Sequence, residues 1–227
     1  MTNYAIVSEK SWNQALFPQL QTQFGAINWI LINEKSDFNA GFLAENKIDK
    51  IFIPHWSFII PSEIFLNYEC IVFHMTDLPY GRGGSPLQNL IVRGHTETKI
   101  SALKVVKELD AGPIYLKKDL TLLGTATDIF KRTNQIIEGM IIEIISKAIT
   151  PKTQQGDIVK FKRRSPEDSN IVEVQELKIA YDYIRMLDAE GYPHAFLETS
   201  GLKLEFTNAN FNTNDEIVTA HVRISKK

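Results

Sequence analysis

Four short apolar runs, Tyr4–Val7, Trp29–Ile32, Ile51–Ile53 and Ile71–Phe73, alternate with helix-length segments, and this constrains the fold more than any other feature. The runs are rich in β-branched and aromatic side chains, which suit a pleated and buried surface. Between them lie residues 13–24 and 37–46, the second with Phe38, Phe42 and Leu43 at helical spacing. Strands alternating with helices predict an α/β fold with a doubly wound, mostly parallel sheet. Ligands of such sheets bind outside the carboxyl ends of the strands, so candidate residues are those just after each run.

After Phe73 comes a glycine-crowded loop, His74–Pro86, and then a helix predicted from residue 86 or 87 to Val92, with Ser85 as its cap and Pro86 at its first position. Lys99–Lys107 is expected as a strand, Leu109–Pro113 as a turn and Ile114–Leu116 as extended chain. A long helix, capped by Thr127 and reaching about Ile149, repeats apolar residues from Ile129 to Ile144 at helical intervals. Residues 150–170 turn polar and read as a crossover. Beyond them the pattern predicts a helix over 174–188, a hairpin (194–198, a turn at Ser200-Gly201, 203–207) and a last strand over 216–224. The expected organisation is a large domain over 1–150, a linker over 151–173 and a small α+β appendage over 174–227.

Charge narrows the partners. The 25 basic and 27 acidic residues give a net charge of −2, which provides no global field for a polyanion and predicts a small acceptor rather than nucleic acid. The single cysteine, Cys70, sits in an apolar run and is expected as a buried strand thiol. No stretch is apolar enough to span a bilayer and the amino terminus lacks a signal-peptide pattern, so a cytoplasmic chain without membrane attachment is expected. The five histidines show no zinc-ligand spacing, and no metal is expected. Gly81–Pro86 matches neither the dinucleotide fingerprint nor the phosphate-loop pattern.

His74 stands directly after an apolar strand, where a ligand site of this fold class belongs, and Asp110 follows in Leu109-Asp-Ala-Gly-Pro113. A histidine with a carboxylate partner is suited to moving protons near neutral pH, because the carboxylate orients the imidazole and stabilises its charged form. The pair indicates acid–base work without naming a substrate.

The run Phe73-His-Met-Thr-Asp-Leu-Pro-Tyr-Gly-Arg-Gly-Gly-Ser-Pro86, with Leu109-Asp-Ala-Gly-Pro-Ile114 downstream, resembles the folate-dependent formyltransferase family. That family includes methionyl-tRNA formyltransferase and the nucleotide-sugar N-formyltransferases. Its pattern reads Asn-x-His, a Ser-Leu-Leu-Pro stretch, Arg-Gly before a helix-opening proline, and later Leu-Asp-x-Gly. Ile51–Pro61 looks like the strand and turn lining the family's folate pocket, and Arg163–Asp168 like its post-domain linker. The resemblance covers roughly residues 1–170 and implies a Rossmann-like formyltransferase fold.

It further implies His74, Asp110 and Thr76 as catalytic residues. N10-formyltetrahydrofolate would be the cosubstrate, held by His55, Trp56, Ile60, Val106, Leu109 and Asp110. The tail, with Tyr181–Arg185 and Tyr192-Pro-His-Ala-Phe196, looks like that of amino-sugar formyltransferases. The expected acceptor is therefore a UDP- or dTDP-linked 4-amino-4,6-dideoxy sugar for surface polysaccharide, met by Tyr80, Arg82, Gly83 and Arg185. A homodimer is left open. The chain departs from the pattern at Val72, which occupies the place of the family's oxyanion-stabilising asparagine. Methionyl-tRNA formyltransferase, glycinamide ribonucleotide formyltransferase and a noncatalytic binding relative stay open as alternatives.

Overall fold

The computed structural model describes residues 2–13 and 15–227. Its central sheet is built from β1 (Thr2–Ser8), β2 (Ile27–Ile32), β3 (Lys50–His55), β4 (Glu69–His74), β6 (Glu97–Lys104) and β7 (Ile114–Thr121), in the order β2-β1-β3-β4-β6-β7. The four apolar runs are the cores of β1 to β4. They pair in parallel, with Tyr4 opposite Trp29 and Ile53 opposite Val72. β6 then runs antiparallel to β4, setting Ser101 opposite His74. β5 (Tyr80–Gly83) forms a two-stranded pairing with β8 (Val159–Phe161); neither has an apolar period long enough to be read from the sequence.

The helices are α1 (Leu16–Gln23), α2 (Ala40–Glu45), α3 (Ser62–Phe65), α4 (Pro86–Val92), α5 (Ala126–Ser146) and α6 (Leu177–Arg185). Asn39 caps α2, its side chain accepting from the Phe42 N–H. α5 begins one residue earlier than its expected cap. Thr125, not Thr127, satisfies its amino end: the Asp128 N–H donates to Thr125 Oγ1 while Asp128 Oδ2 accepts from Thr125, a reciprocal box. The Thr127 hydroxyl instead donates to the Asp188 carbonyl.

The chain forms two compact units that interleave along the sequence. The first takes residues 1–82, 99–120 and 131–160; the second takes 83–98, 121–130 and 161–227. The segments 83–98 and 121–130 thus fold with residues 161–227. In the first unit Phe52, Ile6, Ile51, Ile53 and Ile71 are fully buried, each stabilising by about 1.5–3 kcal/mol relative to exposure. Cys70 is buried among them, and burial pushes its thiol up to about 12. The second unit carries a three-stranded antiparallel sheet, β11-β10-β9, from β9 (Ala195–Glu198), β10 (Leu202–Asn212) and β11 (Ile217–Lys226). Phe130 and Tyr192 stack in this unit at 5.4 Å. Among the described residues no helix is long and apolar enough to cross a membrane.

Candidate active site

His74 is the last residue of β4, so the parallel sheet delivers it to the strand end where α/β ligand sites form. It is buried, and its ring is held from two sides. Nε2 lies 2.8 Å from the Gly81 carbonyl oxygen, and Nδ1 lies 3.7 Å from Asp110 Oδ2. A carbonyl can only accept, so Nε2 must carry a hydrogen and donate it. In neutral His74 the lone pair is therefore on Nδ1, the nitrogen facing Asp110. Gly81 reaches this position with φ 80°, a left-handed conformation that glycine adopts without strain.

The loop after His74 is pinned by Ser101, whose hydroxyl donates to the Thr76 carbonyl at 2.7 Å and accepts from the Leu78 N–H at 3.3 Å. Thr76 is fully buried, with its hydroxyl directed at the Gly81 carbonyl at 3.4 Å. That direction braces the carbonyl that holds His74. Val72 shares the strand face of His74 by the two-residue period of β4, and packs half-buried against the first unit's apolar core. No amide hydrogen-bond donor is present at that side chain.

Asp110 stands at φ 52°, a left-handed conformation that aspartate adopts more readily than most residues. Gly112 follows it because a Cβ there would meet the Lys104 carbonyl oxygen at 1.7 Å. The turn is also fastened from the crossover. Gln154 Nε2 donates to both the Asp110 and the Gly112 carbonyls at 2.8 Å, while its Oε1 accepts from Arg82 Nε at 3.1 Å and Nη2 at 2.8 Å. Arg82 is buried, with Glu108 3.9 Å from its third nitrogen. Gln154 carries no sequence signal of this role; it sits in a polar stretch that reads as linker.

The residues expected around folate gather at the carboxyl end of β3 and in the Asp110 turn. His55 ends β3 with its ring edge-on to Trp12, and burial followed by the nearby Lys10 charge holds it down to about 4, so it is neutral at physiological pH. Trp56 packs edge-on against Phe38 and Phe58. Ile60 and Val106 are half-buried, while Phe58, Ile59 and Leu109 present apolar surface, Leu109 being 58% exposed beside Asp110. Apolar and aromatic side chains of this kind suit contact with an aromatic heterocycle.

The expected acceptor contacts divide. Tyr80 and Arg82 lie on β5, and Gly83 follows with φ 117°, its backbone so close to Phe161 that a Cβ would stand 2.3 Å from that carbonyl oxygen. Arg185 requires a correction. It is buried on α6, and three of its five N–H donors are taken by protein: Nε by Asp182 at 2.6 Å, and Nη1 by the Leu122 and Gly124 carbonyls at 2.6 and 2.9 Å. Buried and held in this way it braces the second unit rather than standing in solvent to meet a pyrophosphate. Among the described residues no group of three or more His, Cys, Asp and Glu side chains is placed to hold a metal ion.

A mostly parallel sheet with a histidine at a strand end and a carboxylate 3.7 Å from its ring defines the class: an α/β protein of the doubly wound kind. Comparison with known proteins gives the family. The chain is 44% identical to a solved structure of methionyl-tRNA formyltransferase from Clostridium thermocellum, with all of both chains covered and a TM-score of 0.96. The protein-family model for the C-terminal domain of methionyl-tRNA formyltransferase matches residues 166–225. Methionyl-tRNA formyltransferase of Thermotoga maritima is 28% identical over 194 residues, 82% of this chain and 61% of the relative. The chain belongs to the formyltransferase family.

The chain spans 52% and 61% of the length of the first two curated relatives it matches. The fold is shared more widely. HypX from Aquifex aeolicus in complex with tetrahydrofolic acid superposes with a TM-score of 0.81 at 17% identity, covering 92% of this chain and 38% of HypX. A sugar N-formyltransferase from Shewanella sp. FDAARGOS_354 and a likely sugar N-formyltransferase from Mycobacterium tuberculosis superpose with TM-scores of 0.68 and 0.70 at 17% and 16% identity, a likeness of fold alone.

Proposed function

We propose that this chain transfers the formyl group of N10-formyltetrahydrofolate to a primary amine, with the α-amine of methionyl-tRNA as the acceptor. The observation that carries the chemistry is the ring of His74, locked through Nε2 to Gly81 so that Nδ1 is its working nitrogen. The acceptor amine attacks the formyl carbon, giving a tetrahedral intermediate with an oxyanion and a protonated nitrogen. His74 Nδ1 takes the amine proton, Asp110 stabilises the imidazolium, and the proton passes to N10 as the carbon–N10 bond breaks. The products are a formamide and tetrahydrofolate, so atoms and protons balance.

The folate carrier would lie on the apolar provision of Trp56, Ile60, Val106 and Leu109, with His55 neutral beside it; the complex of HypX with tetrahydrofolic acid supports that choice of carrier. The full-length similarity to the Clostridium thermocellum structure and the match at 166–225 support the tRNA acceptor, and they carry more weight than the sugar expected from the tail motif. A nucleotide-linked amino sugar is the second reading, favoured by one observation. Residues 161–227 carry 9 basic and 11 acidic side chains, a poor surface for many phosphates. Incubation with N10-formyltetrahydrofolate and either methionyl-tRNA or a panel of UDP- and dTDP-amino sugars, read by product mass, tests both. Formyl-methionyl-tRNA is the expected product; a formylated sugar with unchanged methionyl-tRNA would replace the acceptor.

A further inference from the structure

The geometry points to Gln154 as a positioning residue that sets where Asp110 stands relative to His74, an inference that rests on the formyl-transfer reading above. Its amide is used in full. Both Nε2 hydrogens go to the Asp110 and Gly112 carbonyls, and Oε1 receives two donors from Arg82. Only this orientation satisfies the site, because turning the amide over would set a carbonyl against two carbonyls and an NH2 against a guanidinium.

The mechanics follow from what surrounds Asp110. Its left-handed φ of 52° is held by the glutamine at its own carbonyl, and two residues on, Gly112 is pressed against the Lys104 backbone. The carboxylate stands 3.7 Å from His74 Nδ1, so its place relative to the ring depends on where the turn that carries it is held. Arg82 supplies the fixed end of the brace, since its guanidinium is buried and meets Gln154 through two nitrogens. The glutamine thus couples the loop after His74 to the Asp110 turn, meeting Asp110 through its backbone carbonyl.

Two variants separate the halves of the brace. Gln154→Ala removes both; Gln154→Glu keeps an oxygen for Arg82 and loses the donors to the turn. Both are expected to lower kcat by about 10–100-fold with the KM for the folate changed little, the range expected when a catalytic group is displaced by about 1 Å. A purely structural role is excluded by a double-mutant cycle. In an Asp110→Asn background, measured by single turnover, Gln154→Ala should cost no more than about twofold further, whereas an independent contribution would repeat its full effect.

Amide hydrogen exchange gives a readout independent of activity: residues 110–112 should exchange faster in Gln154→Ala while β1 to β3 keep their protection. Unchanged exchange in the turn, a fully active Gln154→Glu, or an additive cycle overturns the assignment. If the parent protein transfers no formyl group, the functional reading fails on its own, and the exchange pattern alone decides the brace.

Discussion

Arg185→Ala offers a sharp test of what the second unit does with its buried charge. The Arg185 and Asp182 side chains are 7% and 9% exposed, and the arginine also satisfies the carbonyls of Leu122 and Gly124. Removing one partner of a buried pair costs about 3–5 kcal/mol, because the other charge is left uncompensated. Here Lys178 Nζ stays 2.8 Å from Asp182 Oδ2, on a side chain that is 64% exposed, so part of the countercharge survives. The expected loss is about 2–4 kcal/mol, or a Tm lower by roughly 5–15 °C for a chain of this size. Urea unfolding followed by circular dichroism measures it, and Arg185→Lys, which cannot span three acceptors in one plane, should recover less than half. A variant within about 0.5 kcal/mol of the parent, with a raised KM for the acceptor, would refute the bracing role and return Arg185 to the ligand.

Three further outcomes follow from the site and its surroundings. His74→Ala should reduce formyl transfer by about 100-fold or more in a folded protein, measured as initial rate. Val72→Asn should raise the rate if the oxyanion lacks a side-chain donor, an amide there being worth about 3 kcal/mol in other enzymes; a folded, slower variant would show that another donor has taken the place. His55 is held down to about 4 in the folded chain against about 6.5 unfolded, so the unfolded state binds more protons between those values and stability falls as pH is lowered through that window. The contribution cannot exceed about 1.4 kcal/mol per pH unit, and His55→Asn should flatten the urea-midpoint profile there; an unchanged slope would refute it.

Much of this was legible in the sequence for a physical reason. The cores of β1 to β4 are apolar runs bounded by polar segments, and burial on both sheet faces produces that pattern. The place of His74 at the end of β4 was readable from the apolar run that precedes it. α3, β5 and β8 were not, since each has three or four residues and no partner run across a short turn to mark it, as β9 has beyond the Ser200-Gly201 turn after it. The cap of α5 was visible but misread: Thr125 has Asp128 three positions on, while Thr127 has no such acidic partner. Arg185 was expected at the acceptor because an arginine suits a pyrophosphate, although Asp182 at helical spacing was the signal of an internal pair. Gln154 could not be read, because its partners come from two other segments and only the folded chain brings them together.

The most direct test of formyl transfer through His74 is single-turnover transfer from N10-formyltetrahydrofolate to methionyl-tRNA, followed by product mass in the parent and in His74→Asn. Formylated product appearing with the parent, and at least 100-fold more slowly with the variant, is the predicted result. Equal rates in the two proteins, or no transfer to methionyl-tRNA or to any amino sugar by a folded parent, would contradict it.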